Sequence, residues 1–349
     1  MSQLIILLFC LAGALADPAV HDTVNANPKP PILLNRSGGF KIGGKVIQSP
    51  FSSTQTLHCD HGYLEYFVPQ QPRRAGIVMW HSASTQAFQN RWDGGEGFKD
   101  LYLRRNYPVY LWDGPRVGRA NWACNSTSYT PDYRDTSNFV AWNFGPVYPQ
   151  FWPGVQFPVN NTEAWNQATS NRYVEYDTRE NVELETDASA IAADSGKLGD
   201  KIVYLTNSAS GLRALRTVTK SNTTNIKALV MYEIVGWIFP DTSNVTAGPG
   251  GFGPFLIPEE EYKKLASVKK IQFVWGDNRS DSYSDVRLSR YAAELINGYG
   301  GNAEVLKLGE VEGMSGNTHS AFADLNNEQV AGLLDDLLQE NELDDYFAS

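Results

Sequence analysis

The strongest constraint on the fold is a repeated pairing of a short, unbroken apolar run with a stretch of helical spacing. Ala75-Gly76-Ile77-Val78-Met79-Trp80 and Val109-Tyr110-Leu111-Trp112 are such runs, and Gly97 to Asn106 between them is long enough for a crossover helix. A strand apolar on both faces must be covered on both faces, and a parallel pair needs a long, usually helical, connection. The alternation resumes with Asp187 to Ala193 as a helix and Ile202 to Leu205 as a strand followed by a helix. Strands Ala228 to Tyr232 and Ile271 to Trp275, the helix Asp285 to Asn297 and the strand Ala303 to Leu308 complete it. Phe40 to Ile47 and Tyr63 to Val68 read as antiparallel leading strands. From Glu328 to Gln339, Val330, Leu333, Leu334, Leu337 and Leu338 form one helical stripe. The expected fold class is α/β, a mostly parallel central sheet with helices on both faces.

With 349 residues, 42% of them hydrophobic, the chain can bury the core of one large domain, expected over 39–349. Two stretches interrupt the alternation: 114–180, heavy in Trp, Tyr, Phe and Pro, and 236–261, which contains Gly248-Pro249-Gly250-Gly251-Phe252-Gly253-Pro254-Phe255. Insertions of that length are usually lids or binding loops. The first is expected to form an apolar lid stiffened by prolines, with Trp142, Phe144, Phe151 and Trp152 on the substrate and Trp237 added from the second.

At the N-terminus, Leu4 to Ala14 is apolar and Ala14-Leu15-Ala16 supplies a small-x-small cleavage site, so 1–16 reads as a secretory signal and 17–38 as an extended arm. No apolar run is long enough for a membrane helix, so no stable membrane anchor is expected. Secretion agrees with sequons at Asn35, Asn125, Asn160, Asn222, Asn244 and Asn278, read as glycosylation sites. Of the three cysteines, Cys10 leaves with the signal, and Cys59 and Cys124 remain to form one disulfide. A net charge of −10 argues against nucleic acid as a partner.

Thr206-Asn207-Ser208-Ala209-Ser210-Gly211 ends an apolar strand and opens a helical pattern, Leu212, Ala214, Leu215 and Val218. A serine with small residues two before and two after, at a strand-to-helix turn, is a nucleophile elbow, although the usual glycines are replaced by Thr206 and Ser210. An elbow serine needs a histidine base, and the base an acid. His21 lies in the arm, and His58 and His61 flank Cys59. His319, between the last strand and the last helix, stands where the chain order Ser, acid, His puts the base. His81-Ser82-Ala83-Ser84 follows the strand that leads into an oxyanion loop, so the amides of Ala83, or else Ser82, and of Ala209 are the expected donors, and His81 braces the loop. Two strand ends offer an acid. Position favours Asp277, with Asp281 close behind, over Glu233 one strand earlier.

Together Gly76 to Trp80, Asp93-Gly94-Gly95-Glu96-Gly97-Phe98, Tyr107 to Arg119, Thr206 to Gly211, Tyr232-Glu233 and Gly313 to His319 resemble a family of secreted or periplasmic α/β-hydrolase serine esterases that includes the Alcaligenes esterase and fungal relatives. The resemblance covers most of the chain after the arm. It implies an α/β-hydrolase fold with Ser208 as nucleophile, His319 as base and Glu233, rather than Asp277, as acid. This chain reads Asn-Ser-Ala-Ser where many relatives read His-Ser-Gln-Gly, and Ala83 replaces a different oxyanion-loop residue.

The expected function is therefore a secreted serine hydrolase acting on a small-molecule carboxylic ester or lactone. The alternatives are an inactive binding protein on the same scaffold and a non-hydrolytic cyclase or isomerase of secondary metabolism. Neither H-E-x-x-H nor paired Cys/His spacing is present, and Gly94-Gly95-Glu96-Gly97 lacks the lysine of a P-loop, so no metal or cofactor is expected.

Overall fold

The apolar runs become the inner strands of one twisted sheet. The computed structural model describes residues 29–81, 84–173 and 177–347. Its strands are β1 (Leu34–Ile42), β2 (Lys45–Gln48), β3 (Thr56–Cys59), β4 (Gly62–Pro69), β5 (Ala75–His81), β6 (Val109–Asp113), β7 (Lys201–Asn207), β8 (Ile226–Tyr232), β9 (Ile238–Pro240), β10 (Phe255–Ile257), β11 (Lys270–Trp275) and β12 (Ala303–Lys307). Its helices are α1 (Phe98–Arg104), α2 (Asp135–Ala141), α3 (Thr162–Ser170), α4 (Arg179–Asp194), α5 (Ala209–Lys220), α6 (Glu259–Tyr262), α7 (Ser284–Gly298) and α8 (Asn327–Glu340). Eight strands pair in the order β1-β4-β6-β5-β7-β8-β11-β12. The β1–β4 and β4–β6 pairs are antiparallel, and from β6 onward every pair is parallel. This is the α/β-hydrolase fold.

Side chains leave a strand alternately on its two faces, so each central strand feeds two cores. Val78 and Trp80 of β5, Ile202 and Tyr204 of β7, and Leu229 and Met231 of β8 enter the core shared with α4, α5 and α7. Ile77 and Met79, Val203 and Leu205, and Ala228 and Val230 enter the other, with α1 and α8. Burying each such Val, Leu or Ile contributes about 1.5–3 kcal/mol, which is why the runs are apolar throughout rather than alternating. The stripe expected on the last helix is realised, with Val330, Leu334, Leu337 and Leu338 buried.

The structure departs from the expected outline at three places. Phe40 to Ile47 is two strands, because Gly43 and Gly44 both take positive φ (68° and 73°) and turn the chain into the β2–β3 hairpin. β1 begins at Leu34, within the span expected for the arm, and pairs with β4. Neither insertion is wholly irregular: the first contains α2 and α3, and the second contains the parallel pair β9–β10. Cys59 and Cys124 are disulfide-bonded. Among the described residues no helix is long and apolar enough to cross a membrane, and all six sequon asparagines are exposed. The expected signal segment and residues 17–28 lie outside the described residues.

Candidate active site

The carboxyl ends of β5, β7 and β8, and the loop after β12, meet at one edge of the sheet, where ligands of open α/β sheets gather. Ser208 follows β7 directly and has φ 58° and ψ −133°, a region sparsely occupied by residues other than glycine that costs on the order of 1–3 kcal/mol. Surrounding bonds over-determine it. The Ser208 amide donates to Tyr232 O (3.1 Å), and its carbonyl accepts from the amides of Gly211 (3.0 Å) and Val235 (3.1 Å). A Cβ at Gly211 would lie 2.6 Å from Ile234 Cγ1, so glycine lets the helix pack closely against the Ile234 side chain just after β8. Ser210, standing where a glycine is usual, is used as a clasp. Its hydroxyl accepts from the Asn207 amide (3.0 Å) and donates to Trp80 O (2.6 Å), tying the turn to β5.

Glu233 follows β8, is 2% exposed, and also has positive φ (40°). Its Oε2 lies 2.9 Å from His319 Nδ1 and accepts from Arg279 Nε (3.0 Å) and Nη2 (2.8 Å), while Oε1 accepts from the Gly276 amide (3.2 Å). Burial alone would raise this carboxyl, but the Arg279 guanidinium and the His319 imidazole outweigh it and hold the group down at about 2. A carboxylate at Nδ1 fixes the imidazole with its proton there and leaves Nε2 as the basic atom. His319 is 6% exposed, and its ring lines the same cavity as Ser208. Arg279 escaped the sequence reading. Its only signal was a cation two residues after Asp277 in a strand-end loop.

Asn207 joins the three segments. Its Nδ2 donates to Tyr232 O (3.0 Å), the residue before Glu233, and to His319 O (2.8 Å). One buried amide thus spans the residues before the serine and the acid and the histidine itself. His81 ends β5, and its Nδ1 accepts from the Ser84 amide (3.1 Å), which puts its proton on Nε2. Burial and the neighbouring His319 hold it down to about 3, so it stays neutral. Its expected bracing of the loop agrees with that bond. Ala83 and Ser82 lie outside the described residues. Ala209, the other expected donor, is the first residue of α5 and lines the cavity.

Asp277 does not face the imidazole. Its Oδ2 accepts from the Gly316 amide, and its backbone carbonyl accepts from Asn143 Nδ2. Asp281 is 64% exposed and pairs with Arg290 and Lys307. The loop carrying His319 rests instead on buried Asp324, which accepts from Thr318 N (2.7 Å) and Oγ1 (2.8 Å).

A cavity of about 140 Å³ opens beside Ser208 and His319. Of the five aromatic residues expected on the substrate, Trp142 lines it. Phe144 and Phe151 are turned into the insertion's own core, against Phe157 and Phe139 with ring centroids 4.4 and 4.9 Å apart, because α2 and α3 must bury their own apolar faces. Trp152 is half-buried outside the lining. Trp237 is 2% exposed and donates through Nε1 to Asp285 (2.8 Å). The second insertion contributes Phe252. The first is bolted to the site at three successive residues: Ala141 O accepts from Arg279 Nη2 (2.6 Å), Trp142 O accepts from the His319 amide (3.0 Å), and Asn143 Nδ2 donates to Asp277 O. It is a fastened wall.

No protein-family model matches the chain, and no curated protein matches it. Among solved structures, it is similar to a bacterial esterase determined at atomic resolution, with a TM-score of 0.71 and 23% identity, over 91% of this chain and 99% of that one. Other similar structures are a propionate-bound thermophilic esterase from Thermogutta terrifontis (TM-score 0.46, 13% identity, 88% of this chain and 97% of that one) and an acylaminoacyl peptidase from Pyrococcus horikoshii (TM-score 0.46, 10% identity, 90% of this chain and 42% of that one). The first of these likenesses agrees with the α/β-hydrolase fold.

Proposed function

We propose that this chain is a serine hydrolase that cleaves a carboxylic ester or lactone. The observation that carries the reading is a serine held at positive φ on a strand-to-helix turn, opening on the same cavity as an imidazole whose other nitrogen is fixed by a buried carboxylate. Neutral serine is a poor nucleophile and needs a base within reach.

In the proposed mechanism Ser208 Oγ forms a bond to the substrate carbonyl carbon while His319 Nε2 takes the hydroxyl proton. Glu233 holds the Nδ1–H and stabilises the imidazolium. The carbonyl electron pair moves to oxygen, where the amides of Ala209 and Ala83 are the proposed donors. Collapse expels the alkoxide, which receives the proton from His319, and leaves an acyl group on Ser208. Water, deprotonated by the same imidazole, then releases the acid. Arg279 keeps Glu233 ionised, and so acts through it as a positioning residue.

Secretion with cleavage after Ala16 and glycosylation at the exposed sequons belong to the same proposal. So does a single catalytic domain with an N-terminal arm. The disulfide fits an oxidising compartment.

The test is turnover of p-nitrophenyl acetate and butyrate by the wild type and by Ser208→Ala. The substitution is expected to abolish turnover while shifting Tm by no more than a few degrees. Equal turnover by both proteins would sink the reading, and no turnover above the buffer rate by the wild type would favour an inactive scaffold.

A further inference from the structure

We propose that the cavity beside Ser208 selects esters whose enclosed part carries a hydroxyl or another neutral oxygen, bound by the side chains of Asn138 and Trp92. The inference rests on the ester-hydrolase reading above and names the substrate class of that site.

The polar groups that hold the proposed triad are bonded within the protein, as the Glu233 carboxylate and Asn207 Nδ2 are. Part of the cavity wall differs. Asn138 is 8% exposed and Trp92 7%, both line the cavity, and Asn138 Nδ2 and Trp92 Nε1 have no hydrogen-bond partner among the described residues. A third such atom, Oδ1 of half-buried Asn171, belongs to the same lining. An unpaired buried donor or acceptor costs about 1–3 kcal/mol. Two donors and one acceptor kept on one wall therefore point to a ligand that supplies the bonds the fold does not.

The helix explains the placement. Asn138 and Trp142 are one turn apart on the same face of α2, and both line the cavity, whereas Phe139 turns into the insertion's core with its ring centroid 5.9 Å from that of Phe144. The Trp142 carbonyl accepts from the His319 amide (3.0 Å), so the face that carries Asn138 is fastened directly to the proposed base. Among the charged groups of the lining, Asp177 binds Arg213 at 3.0 Å, Arg134 pairs with Asp132 at 3.4 Å, and Arg172 has a contact of its own. The neutral amide and indole N–H groups are left for a substrate.

Val235 and Phe252 add apolar wall, and in such a pocket a few placed polar groups fix the ligand's orientation. A cavity of about 140 Å³ resembles the engineered voids of about 150 Å³ that hold benzene, so the enclosed part of the substrate has about six heavy atoms. A hydroxyl accepts from an N–H and donates to a carbonyl oxygen, demands that a methyl group leaves open. A site built to bond a hydroxyl rejects the analogue that lacks it.

The experiment uses two pairs of esters in which a hydroxyl replaces a methyl group at constant size. Methyl β-hydroxybutyrate is compared with methyl isovalerate for the acyl side, and propylene glycol monoacetate with isobutyl acetate for the alcohol side. Acid release at constant pH gives kcat/KM, divided by each ester's rate of alkaline hydrolysis. The wild type is expected to prefer the hydroxylated ester of at least one pair by about tenfold or more. Asn138→Leu, which keeps the shape and removes the amide, should bring that preference to within about threefold of parity, and Trp92→Phe should lower it about fivefold. Equal use within both pairs, or a preference unchanged in both folded variants, overturns the proposal.

Should either variant fail to fold, calorimetric binding of the same esters to Ser208→Ala decides: tighter binding of a hydroxylated ester supports the proposal, and equal affinity within both pairs overturns it. Tighter binding of a hydroxylated ester with no turnover of any ester by the wild type would keep the polar wall and remove the hydrolase reading. Turnover without preference would do the reverse.

Discussion

Replacing Glu233 by glutamine separates its two partners, because the lost charge faces both an imidazole and a guanidinium. The carboxylate is 2% exposed and Arg279 has 11% of its side chain exposed. Glutamine keeps one acceptor oxygen where the carboxylate meets four donor contacts, from His319, twice from Arg279 and from Gly276. Leaving a buried cation without its anion costs about 3–5 kcal/mol, and a fall in the unfolding free energy of that order is expected. Losing the group that stabilises the imidazolium should lower kcat by roughly 10²–10⁴-fold, about 3–5 kcal/mol in the barrier. Adding Arg279→Met removes the stranded charge, so the double variant should recover most of the lost stability and none of the lost kcat. Asp277→Asn can still accept from the Gly316 amide, and its kcat should stay within about tenfold of wild type, since one surviving hydrogen bond carries most of that residue's contact. Urea unfolding and p-nitrophenyl acetate kinetics on the four proteins provide the readout. A larger kcat loss at Asp277→Asn than at Glu233→Gln would refute the assignment of the acid.

The Glu233 carboxyl also predicts acid behaviour. A group whose folded value is depressed, here from 4.5 to about 2, adds stability above its unfolded value and loses it as pH falls through the folded one. About 3 kcal/mol of wild-type stability should disappear between those two values, and urea midpoints of Glu233→Gln should fall less steeply over that range. Asn207→Ala strands the buried His319 O, at a cost of about 1–3 kcal/mol, and leaves Tyr232 O with the Ser208 amide alone. It should reduce kcat more than it raises KM, and a change in KM alone would speak against its positioning role. Replacing Cys59 and Cys124 together by serine opens a link between residues 65 apart and should lower the unfolding free energy by about 4 kcal/mol, measured against the reduced and oxidised wild type.

The central sheet was legible because parallel strands covered on both faces must be apolar at nearly every position. Ile202 to Leu205 and Ile271 to Trp275 could hardly be anything else. The hairpin after β1 was not, since Gly43-Gly44 within a β-rich run reads as a flexible spot until the positive φ values show a turn. The insertion helices were hidden by prolines and by aromatic residues that prefer strands in isolation. The rings of the insertion pack against one another instead, as Phe144 does against Phe157. At the site, Ser208 and His319 carried signals of spacing and chain order. The groups that hold them did not, because Arg279 and Asn207 act through long-range hydrogen bonds, and Asp324 through bonds to Thr318 six residues away, that no helix or strand period records.

The most direct measurement is covalent: folded protein is treated with a fluorophosphonate, digested, and the modified peptide sequenced by mass spectrometry. The account predicts stoichiometric labelling at Ser208 alone, with a rate that falls by about two orders of magnitude or more in His319→Ala, as expected when the base is removed. Labelling at another residue, or an unmodified Ser208 in folded wild-type protein, would contradict it.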